Sequence, residues 1–193
     1  VDDDEAIRDA LTWLFRTRQV ASQPWESAEA FLAAWQPDWR GCIVLDIRMR
    51  EMSGLECFDA LRERGNTLPV IFLTGHGDVP MAVGALKKGA FDFLEKPVDD
   101  NALVDRVIRA LASDARRQAS EASQATVATR IAQLTPREHE VMRLVLAGKF
   151  NKVIADELNI SMRTVEVHRS RVFEKMGVRS AVELAQLLAH PRD

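Results

Sequence analysis

The amino-acid sequence predicts an α/β domain with a doubly wound parallel sheet, followed by a smaller all-α domain. Over about the first 110 residues, short apolar runs alternate with longer segments of helical periodicity, which is typical of parallel strands separated by helices. After a change of composition, only helical periodicity remains. A length of 193 residues is also more typical of two small domains than of one.

Three apolar runs predict the strands of the first domain. Residues 42–45, 70–73 and 91–94 are too short for helices and are bounded by polar or turn residues. Helical patterns cover the ranges 5–18, 27–35, 55–64, 80–88 and 101–111. Strands that alternate with helices pair in parallel, so we expect helices on both faces of the sheet and ligands at the carboxyl ends of the strands.

Residues 113–133 predict a linker with helical tendency, since they are rich in Ala, Ser, Gln, Thr and Arg and contain no Gly or Pro. Thr135 and Glu138 then form a capping box, with Pro136 at the first helical position. Four helices are predicted in this part of the chain, at 136–147, 152–158, 162–175 and 181–188. The predicted domains are therefore 1–112 and 134–193, joined by the linker 113–133.

The net charge of −3 conceals a difference between the two halves of the chain. Residues 1–115 contain 13 Lys and Arg against 20 Asp and Glu, whereas residues 116–193 contain 13 against 9. A basic second half suggests a polyanionic partner, most simply nucleic acid, although surface charge also varies by chance.

The composition also predicts where the protein works. No apolar run approaches the roughly 18–20 residues of a membrane helix, and the acidic start is unlike a signal peptide. Cys42 and Cys57 form neither a Cys-x-x-Cys pair nor a disulfide framework, as expected of small buried side chains in a reducing cytosol. We therefore expect a cytoplasmic protein without a membrane partner.

Polar side chains stand at or just after four predicted strand ends. They are Asp2 and Asp3 after Val1, Asp46 after 42–45, Thr74 after 70–73 and Lys96 after 91–94. Carboxylates on adjacent strand ends would form a hard oxygen site suited to Mg²⁺. An aspartate nucleophile, a divalent cation, a hydroxyl and an ammonium are what phosphoryl transfer onto a carboxylate requires. Each residue alone could be a solvated strand cap, but the set favours a phosphoryl-transfer site.

These residues lie in segments that resemble the receiver domain of response regulators, over residues 1–111. The segments are Val-Asp-Asp-Asp-Glu (1–5), Leu-Asp-Ile-Arg-Met (45–49), Met-Ser-Gly (52–54), Thr-Gly-His-Gly-Asp (74–78) and Phe-Leu-Glu-Lys-Pro (93–97). The resemblance implies a five-stranded, flavodoxin-like fold in which a partner histidine kinase phosphorylates Asp46. Such a domain is a phosphoacceptor, not an enzyme beyond self-catalysed phosphorylation and dephosphorylation.

The resemblance also assigns roles around Asp46. The implied Mg²⁺ ligands are Asp2, Asp3, Asp46 and the backbone carbonyl of Arg48. The implied phosphate-responsive side chains are Thr74 as the switch hydroxyl, Phe93 as the switch aromatic and Lys96 as the phosphate partner.

Two positions depart from the receiver pattern. The family's first strand has several apolar residues before the acidic pair, whereas only Val1 precedes Asp2 here. Either residues precede Val1 or the central strand is impaired, and we expect the former. Arg50 follows Met49 where a proline usually stands. Its presence should loosen the loop beside the site and alter kinase pairing or the lifetime of the phosphoryl group.

The predicted helices at 152–158 and 162–175 have helix-turn-helix proportions, and Ser161 can cap the second. One side of the pair is apolar, with Ile154, Leu158, Val165, Val172 and Met176. The other side offers Arg163, Thr164, Glu166, Val167, Arg169, Ser170 and Arg171. A cationic, polar helix face suits the major groove of DNA. An ordinary amphipathic helix with a solvated face gives the same pattern, so the pattern alone leaves both interpretations open.

Residues 133–188 resemble the LuxR-type helix-turn-helix, and a receiver followed by this module is the architecture of the NarL/FixJ family. The resemblance includes Leu-Thr-Pro-Arg-Glu (134–138), Arg-Thr-Val-Glu-Val-His (163–168) and Lys-Met-Gly-Val-Arg-Ser (175–180). Residues 74–81 place the chain nearest the FixJ-like branch.

This second resemblance implies sequence-specific binding to promoter DNA. It places Lys152, Arg163, Thr164 and Arg171 near phosphates, and Glu166, Val167, Arg169 and Ser170 near bases. It further implies that the helix 181–188 is a dimer contact. Because about twenty linker residues separate the receiver from the helix-turn-helix, we expect phosphorylation of Asp46 to act through a homodimer. RNA polymerase is a candidate further partner.

Two rival functions use the same residues. An aspartate-nucleophile phosphatase needs a second catalytic aspartate two residues after Asp46, where Arg48 stands. A partner-binding module with a vestigial DNA-binding domain would differ from a transcription factor in its affinity for DNA. The leading interpretation is a two-component response regulator that controls transcription.

Overall fold

The computed structural model describes residues 1–75 and 79–189, except for the side chains of Val79 and Ala82. Residues 76–78, which belong to the predicted receiver segment 74–78, and residues 190–193 lie outside the described part. The chain divides into two compact units, Val1–Gln118 and Ala119–Asp193.

The first unit contains a parallel sheet with the strand order β1-β2-β3. The strands are β1 Ile43–Asp46, β2 Val70–Thr74 and β3 Asp92–Glu95, each within one residue of its predicted bounds. Asp46 pairs with Leu73, and Thr74 pairs with Glu95. The carboxyl ends of the strands therefore meet at the same edge of the sheet.

Helices cover both faces of this sheet. They are α1 Glu5–Thr17, α2 Ala28–Ala34, α3 Gly54–Glu63, α4 Val79–Lys87 and α5 Asp100–Ala132. Side chains alternate along β2, so Val70 and Phe72 join a core with α2, α3 and α4. Ile71 and Leu73 join a second core with α1 and α5. This arrangement confirms the predicted doubly wound α/β fold.

The sheet has three strands in the described residues, against the five that the receiver resemblance implied. Val1 occupies the position of a further strand, because its nitrogen donates to the Val44 carbonyl (2.7 Å) and its carbonyl accepts from the Asp46 N–H (3.0 Å). On its other side, the Asp2 N–H donates to the Trp25 carbonyl (3.1 Å). The pairings at Val1 and at Trp25 each involve one residue, which is too short to form a strand, so three strands remain.

The second unit contains four helices beyond α5, as predicted. They are α6 Pro136–Leu146, α7 Asn151–Leu158, α8 Met162–Met176 and α9 Ala181–Leu188. The Thr135 hydroxyl accepts from the Glu138 N–H (3.3 Å), and the Glu138 carboxylate accepts from the Thr135 N–H (2.8 Å), which confirms the capping box. Ser161 caps α8 through the Thr164 N–H (3.1 Å).

The main difference from the sequence prediction is the length of α5, which ends at Ala132 where the predicted helix ends at residue 111. Its second half is rich in Ala, with several Arg and Gln, which favour helix, and it contains no Gly or Pro. α5 therefore contributes residues to both units. Among the described residues, no helix is both long enough and apolar enough to cross a bilayer.

Candidate functional sites

The carboxyl edge of the sheet brings together three carboxylates, those of Asp2, Asp3 and Asp46, which we call the acidic cluster. One oxygen from each lies within 4.8 Å of the other two. Asp2 and Asp46 are buried, with 2% and 6% of their surfaces exposed. Because the Asp46 N–H donates to the Val1 carbonyl, the end of β1 is fixed beside the acidic pair. The predicted grouping of these residues is therefore found in the structure.

Lys96 reaches the acidic cluster from the end of β3. Its backbone N–H donates to the Thr74 carbonyl (2.7 Å), which holds it beside the end of β2. Its ammonium nitrogen lies 2.9 Å from Oδ2 of Asp46 and 3.0 Å from Oδ2 of Asp2. The single positive charge of Lys96 is thus shared between two buried carboxylates.

Burial and charge act against each other at this site. Burial raises the pKa of Asp46, and the hydrogen bond and charge of Lys96 offset only part of that rise. Burial lowers the pKa of Lys96, but its pairs with Asp46 and Asp2 outweigh burial and raise it overall. Three carboxylates with one close ammonium carry excess negative charge, which a divalent cation would neutralise.

Arg50, which replaces the usual proline, adds a second positive charge. Its Nε lies 3.4 Å from Oδ2 of Asp3, and its side chain is 88% exposed. An ion pair this exposed contributes little energy. Arg50 therefore leaves Asp3 accessible to a metal ion.

Thr74 ends β2 with a hydroxyl that lacks a partner. The residue is fully buried, and its Oγ1 makes no hydrogen bond within the part of the chain that the structure describes. A buried hydroxyl left unbonded costs about 1–3 kcal/mol. An acceptor oxygen that enters the site could recover that energy.

Arg48 lies beside the acidic cluster, and Phe93 lies on β3, three residues before Lys96. The Arg48 N–H donates to Oδ1 of Asp46 at 3.4 Å, in the turn that follows β1. Phe93 is half-buried in β3, pairs in register with Phe72 and packs against the core below α4. Phe93 thus connects the strand that carries Lys96 with the α4 side of the unit.

Gly54 is a site residue that the sequence reasoning did not single out. A Cβ at this position would lie 2.0 Å from the carbonyl oxygen of Asp46. The Gly54 N–H donates to the Ile47 carbonyl (2.9 Å), so α3 begins directly against the end of β1. The sequence signal that could have located this helix start is the capping-box pair Ser53 and Glu56.

The second unit exposes a polar face on α8. Arg163, Glu166, Val167, Ser170 and Arg171 are exposed, as is Lys152 on α7. Val165, Val172 and Met176 are buried on the opposite side. Thr164 is half-buried, and its hydroxyl lies 2.8 Å from that of Ser161. The predicted division of α8 into an apolar side and a polar side is confirmed.

Arg169 differs from the other predicted DNA-binding residues. It is half-buried, and its Nη1 donates to Oδ1 of Asn151 (2.8 Å). Its guanidinium carbon lies 5.5 Å from the centre of the Phe173 ring. Arg169 therefore holds the start of α7 against α8.

A unit of this α/β type combined with a helix-turn-helix unit defines a DNA-binding regulator with a separate signalling domain. The chain matches the family model for the response regulator receiver domain over residues 1–108. It matches the model for bacterial regulatory proteins of the luxR family over residues 132–188. The protein belongs to the NarL/FixJ family of response regulators and is a two-component transcriptional regulator. The predicted resemblances are confirmed.

Similar proteins support this assignment over nearly the whole chain. The C4-dicarboxylate transport transcriptional regulatory protein DctR of Rhodobacter capsulatus is 51% identical over 189 residues, covering 97% of this chain and 96% of that protein. The transcriptional regulatory protein FixJ of Azorhizobium caulinodans is 46% identical over 187 residues, covering 97% and 89%. Among solved structures, the response regulator StyR matches with a TM-score of 0.90 and 38% identity, covering 99% of this chain and 96% of that one.

Proposed function

We propose that Asp46 is the residue phosphorylated by the partner histidine kinase, and that this modification controls promoter binding by residues 134–193. The observation that carries the proposal is the position of Asp46, buried at the end of β1 with the Lys96 ammonium 2.9 Å away. Residues 1–112 would form the phosphoacceptor domain and 113–133 the linker. We place the protein in the cytoplasm.

The acidic cluster fits a magnesium ion. Carboxylates supply the hard oxygen ligands that Mg²⁺ prefers, and three of them converge here. Asp2, Asp3 and Asp46 would hold the ion together with the backbone carbonyl of Arg48. When bound, Mg²⁺ would neutralise negative charge on the phosphoryl oxygens.

The residues of the site divide the work of phosphoryl transfer. A carboxylate oxygen of Asp46 forms the bond to phosphorus while the bond to the kinase's histidine nitrogen breaks, and that nitrogen keeps the electron pair. The Lys96 ammonium pairs with a phosphoryl oxygen. The unbonded Thr74 hydroxyl donates to another, and Phe93 follows the movement of Thr74. Small phosphodonors would react by the same self-catalysed route.

We propose that α8 enters the major groove. Lys152, Arg163, Thr164 and Arg171 would contact phosphates, and Glu166, Val167 and Ser170 would lie near base edges. All of these residues except the half-buried Thr164 are exposed, which supports a DNA-contacting surface. Arg169 was predicted near a base, and it would reach one only after releasing Asn151.

Phosphorylation would act through association. A homodimer, with α9 as a dimer contact, would present two copies of α8 to a two-fold operator. RNA polymerase would be the further partner at the promoter.

A comparison of two variants tests the central assignment. An acyl phosphate donor or beryllofluoride, with Mg²⁺, should modify the unsubstituted protein but not Asp46→Asn. Asp59→Asn is the control, because Asp59 is a half-exposed aspartate on α3 that pairs with Lys88. Intact-mass spectrometry detects the acyl phosphate as an increase in the mass of the protein. Modification that persists in Asp46→Asn, or that needs no metal, would refute the assignment.

A further inference from the structure

We propose that Arg130 is a positioning residue for DNA recognition, because its guanidinium holds the C-terminal end of α8 in its DNA-reading position. The proposal rests on the proposed role of α8. Arg130 lies near the end of α5, in a segment that the sequence assigned to the linker. It would act on DNA only through α8.

Arg130 contacts the end of α8 in two ways. Its Nη1 donates to the carbonyl oxygen of Met176, the last residue of the helix, at 2.8 Å. The guanidinium also lies against Gly177, where an added Cβ would be 3.0 Å from Nη1 and 3.3 Å from the guanidinium carbon. Arg130 therefore fills the space beside the helix end and binds its last carbonyl.

The Met176 carbonyl needs a partner from outside the helix. The last carbonyls of any α-helix lack partners within the helix. In α8, the Val178 N–H binds the Phe173 carbonyl (2.9 Å), and the Gly177 N–H binds the Glu174 carbonyl (3.1 Å). Arg130 supplies the bond to Met176. Its positive charge also stabilises the negative end of the helix dipole.

The end of α5 is packed into the second unit. Val127 and Ile131 contact the core that contains Val165 and Met176. Lys175, on the last turn of α8, donates to the Gln133 carbonyl at 3.1 Å. Donors therefore cross in both directions between the end of α5 and the end of α8. The segment does more than connect two domains.

Base reading is more sensitive than phosphate binding to the position of a helix. Hydrogen bonds to base edges need placement within roughly 0.5 Å, whereas phosphate contacts are largely electrostatic. If Arg130 is lost, fewer molecules hold α8 in the competent position, and the apparent Kd rises in proportion. The loss of affinity should therefore be larger for the specific DNA site than for other DNA sequences.

The experiment measures the Kd of the full chain for a duplex that it selects from a random library, and for a scrambled duplex, at several salt concentrations. The variants are Arg130→Ala, Arg130→Gln and Arg130→Lys. Arg116→Ala controls for loss of a cation, since Arg116 is exposed on the same helix. Arg171→Ala tests α8 itself. All Kd values are measured well below the unfolding temperature of each variant.

We expect Arg130→Ala to weaken binding to the selected duplex about three- to tenfold. Binding to the scrambled duplex and the salt slope should not change, and Arg130→Lys should recover part of the loss. Arg116→Ala should have no effect. An equal loss on both duplexes with a flatter salt slope, or no loss at all, would overturn the proposal. If Arg171→Ala also leaves both Kd values unchanged, the result refutes the proposed role of α8 instead.

Discussion

The ammonium of Lys96 lies 2.9 Å from a carboxylate oxygen of Asp46. Because Lys96 lowers the pKa of Asp46 against the effect of burial, its removal should raise that pKa further. In Lys96→Met, the nucleophilic form of Asp46 should therefore appear only at higher pH. In metal-free protein, the titration profile of the Asp46 carboxyl followed by NMR should move upward, while Mg²⁺ binding persists. Lys88→Met, an exposed lysine on another ion pair, should leave the profile unchanged. An unshifted profile in Lys96→Met would contradict this coupling.

Gly54 should tolerate no side chain. An alanine Cβ would lie 2.0 Å from the backbone oxygen of Asp46, and backbone cannot move aside as a flexible side chain can. We expect Gly54→Ala to reduce the free energy of unfolding of the first unit by roughly 3 kcal/mol or more. Gly84→Ala is the matched control, because its added Cβ would have no described atom within 4 Å apart from its chain neighbours and the backbone of its own helix. In the helix α4, that change should stabilise by about 0.5–1 kcal/mol. Equal effects in a denaturant titration would refute the steric explanation.

Local patterns predicted much of this fold and its main site. Apolar runs identified the three strands, and polar residues at their ends identified Asp46, Thr74 and Lys96, because parallel strands bring their carboxyl ends together. Capping-box residues marked the start of α6.

Contacts between distant residues had no local pattern. Asp114 was assigned to the linker, yet it is buried in the first unit and accepts from the Gly41 N–H (3.0 Å). Arg130 and Met176, and likewise Arg169 and Asn151, meet only because the helices pack together. Helical periodicity shows which face is apolar, but it does not show which polar side chain crosses to a neighbouring helix.

Arg169 and Arg171 should behave differently although both are arginines on α8. Arg169→Ala removes the bond to Asn151 and the contact with Phe173, so it should lower the free energy of unfolding of the second unit by about 1–2 kcal/mol. Arg171→Ala should leave that stability unchanged, weaken binding to all DNA sequences alike and flatten the salt dependence. Thermal unfolding and salt-dependent binding measure the two effects. Equal stability of the two variants would show that Arg169 does not stabilise the packing of α7 against α8.

Glu138 should make the stability of the second unit depend on pH. Its hydrogen bond with Lys175, and then that with the Thr135 N–H, lower its pKa from 4.5. A carboxyl whose pKa is lower in the folded state stabilises at higher pH, and that contribution is lost as pH falls below about 4.5. In Lys175→Met, the unfolding temperature should fall less between pH 6 and pH 3 than in the unsubstituted protein. Lys149→Met, which removes a surface pair with Glu157, is the control. Parallel curves for Lys175→Met and the unsubstituted protein would contradict the assignment.

Phosphorylation of Asp46 should raise DNA affinity by changing association. Asp46 and the exposed face of α8 belong to different units, so a change at the acidic cluster needs a means of acting on DNA. Thr74 and Phe93 lie on the strands next to α4, and their movement would reshape that side of the first unit. If the reshaped side pairs with a second copy, two α8 helices can bind half-sites about one DNA turn apart. The second contact then becomes intramolecular, which raises affinity without new base contacts.

Light scattering of the full chain tests this mechanism, with and without beryllofluoride and Mg²⁺. The mass of the unsubstituted protein should double on addition of beryllofluoride and Mg²⁺. Asp46→Asn should remain monomeric under the same conditions. The competing mechanism is unmasking, in which the unphosphorylated receiver covers the helix-turn-helix. Unmasking predicts higher DNA affinity at constant mass and a Kd that does not depend on protein association. An unchanged mass together with increased affinity would therefore replace dimerisation with unmasking, because only bivalent binding requires two copies of α8 on one operator.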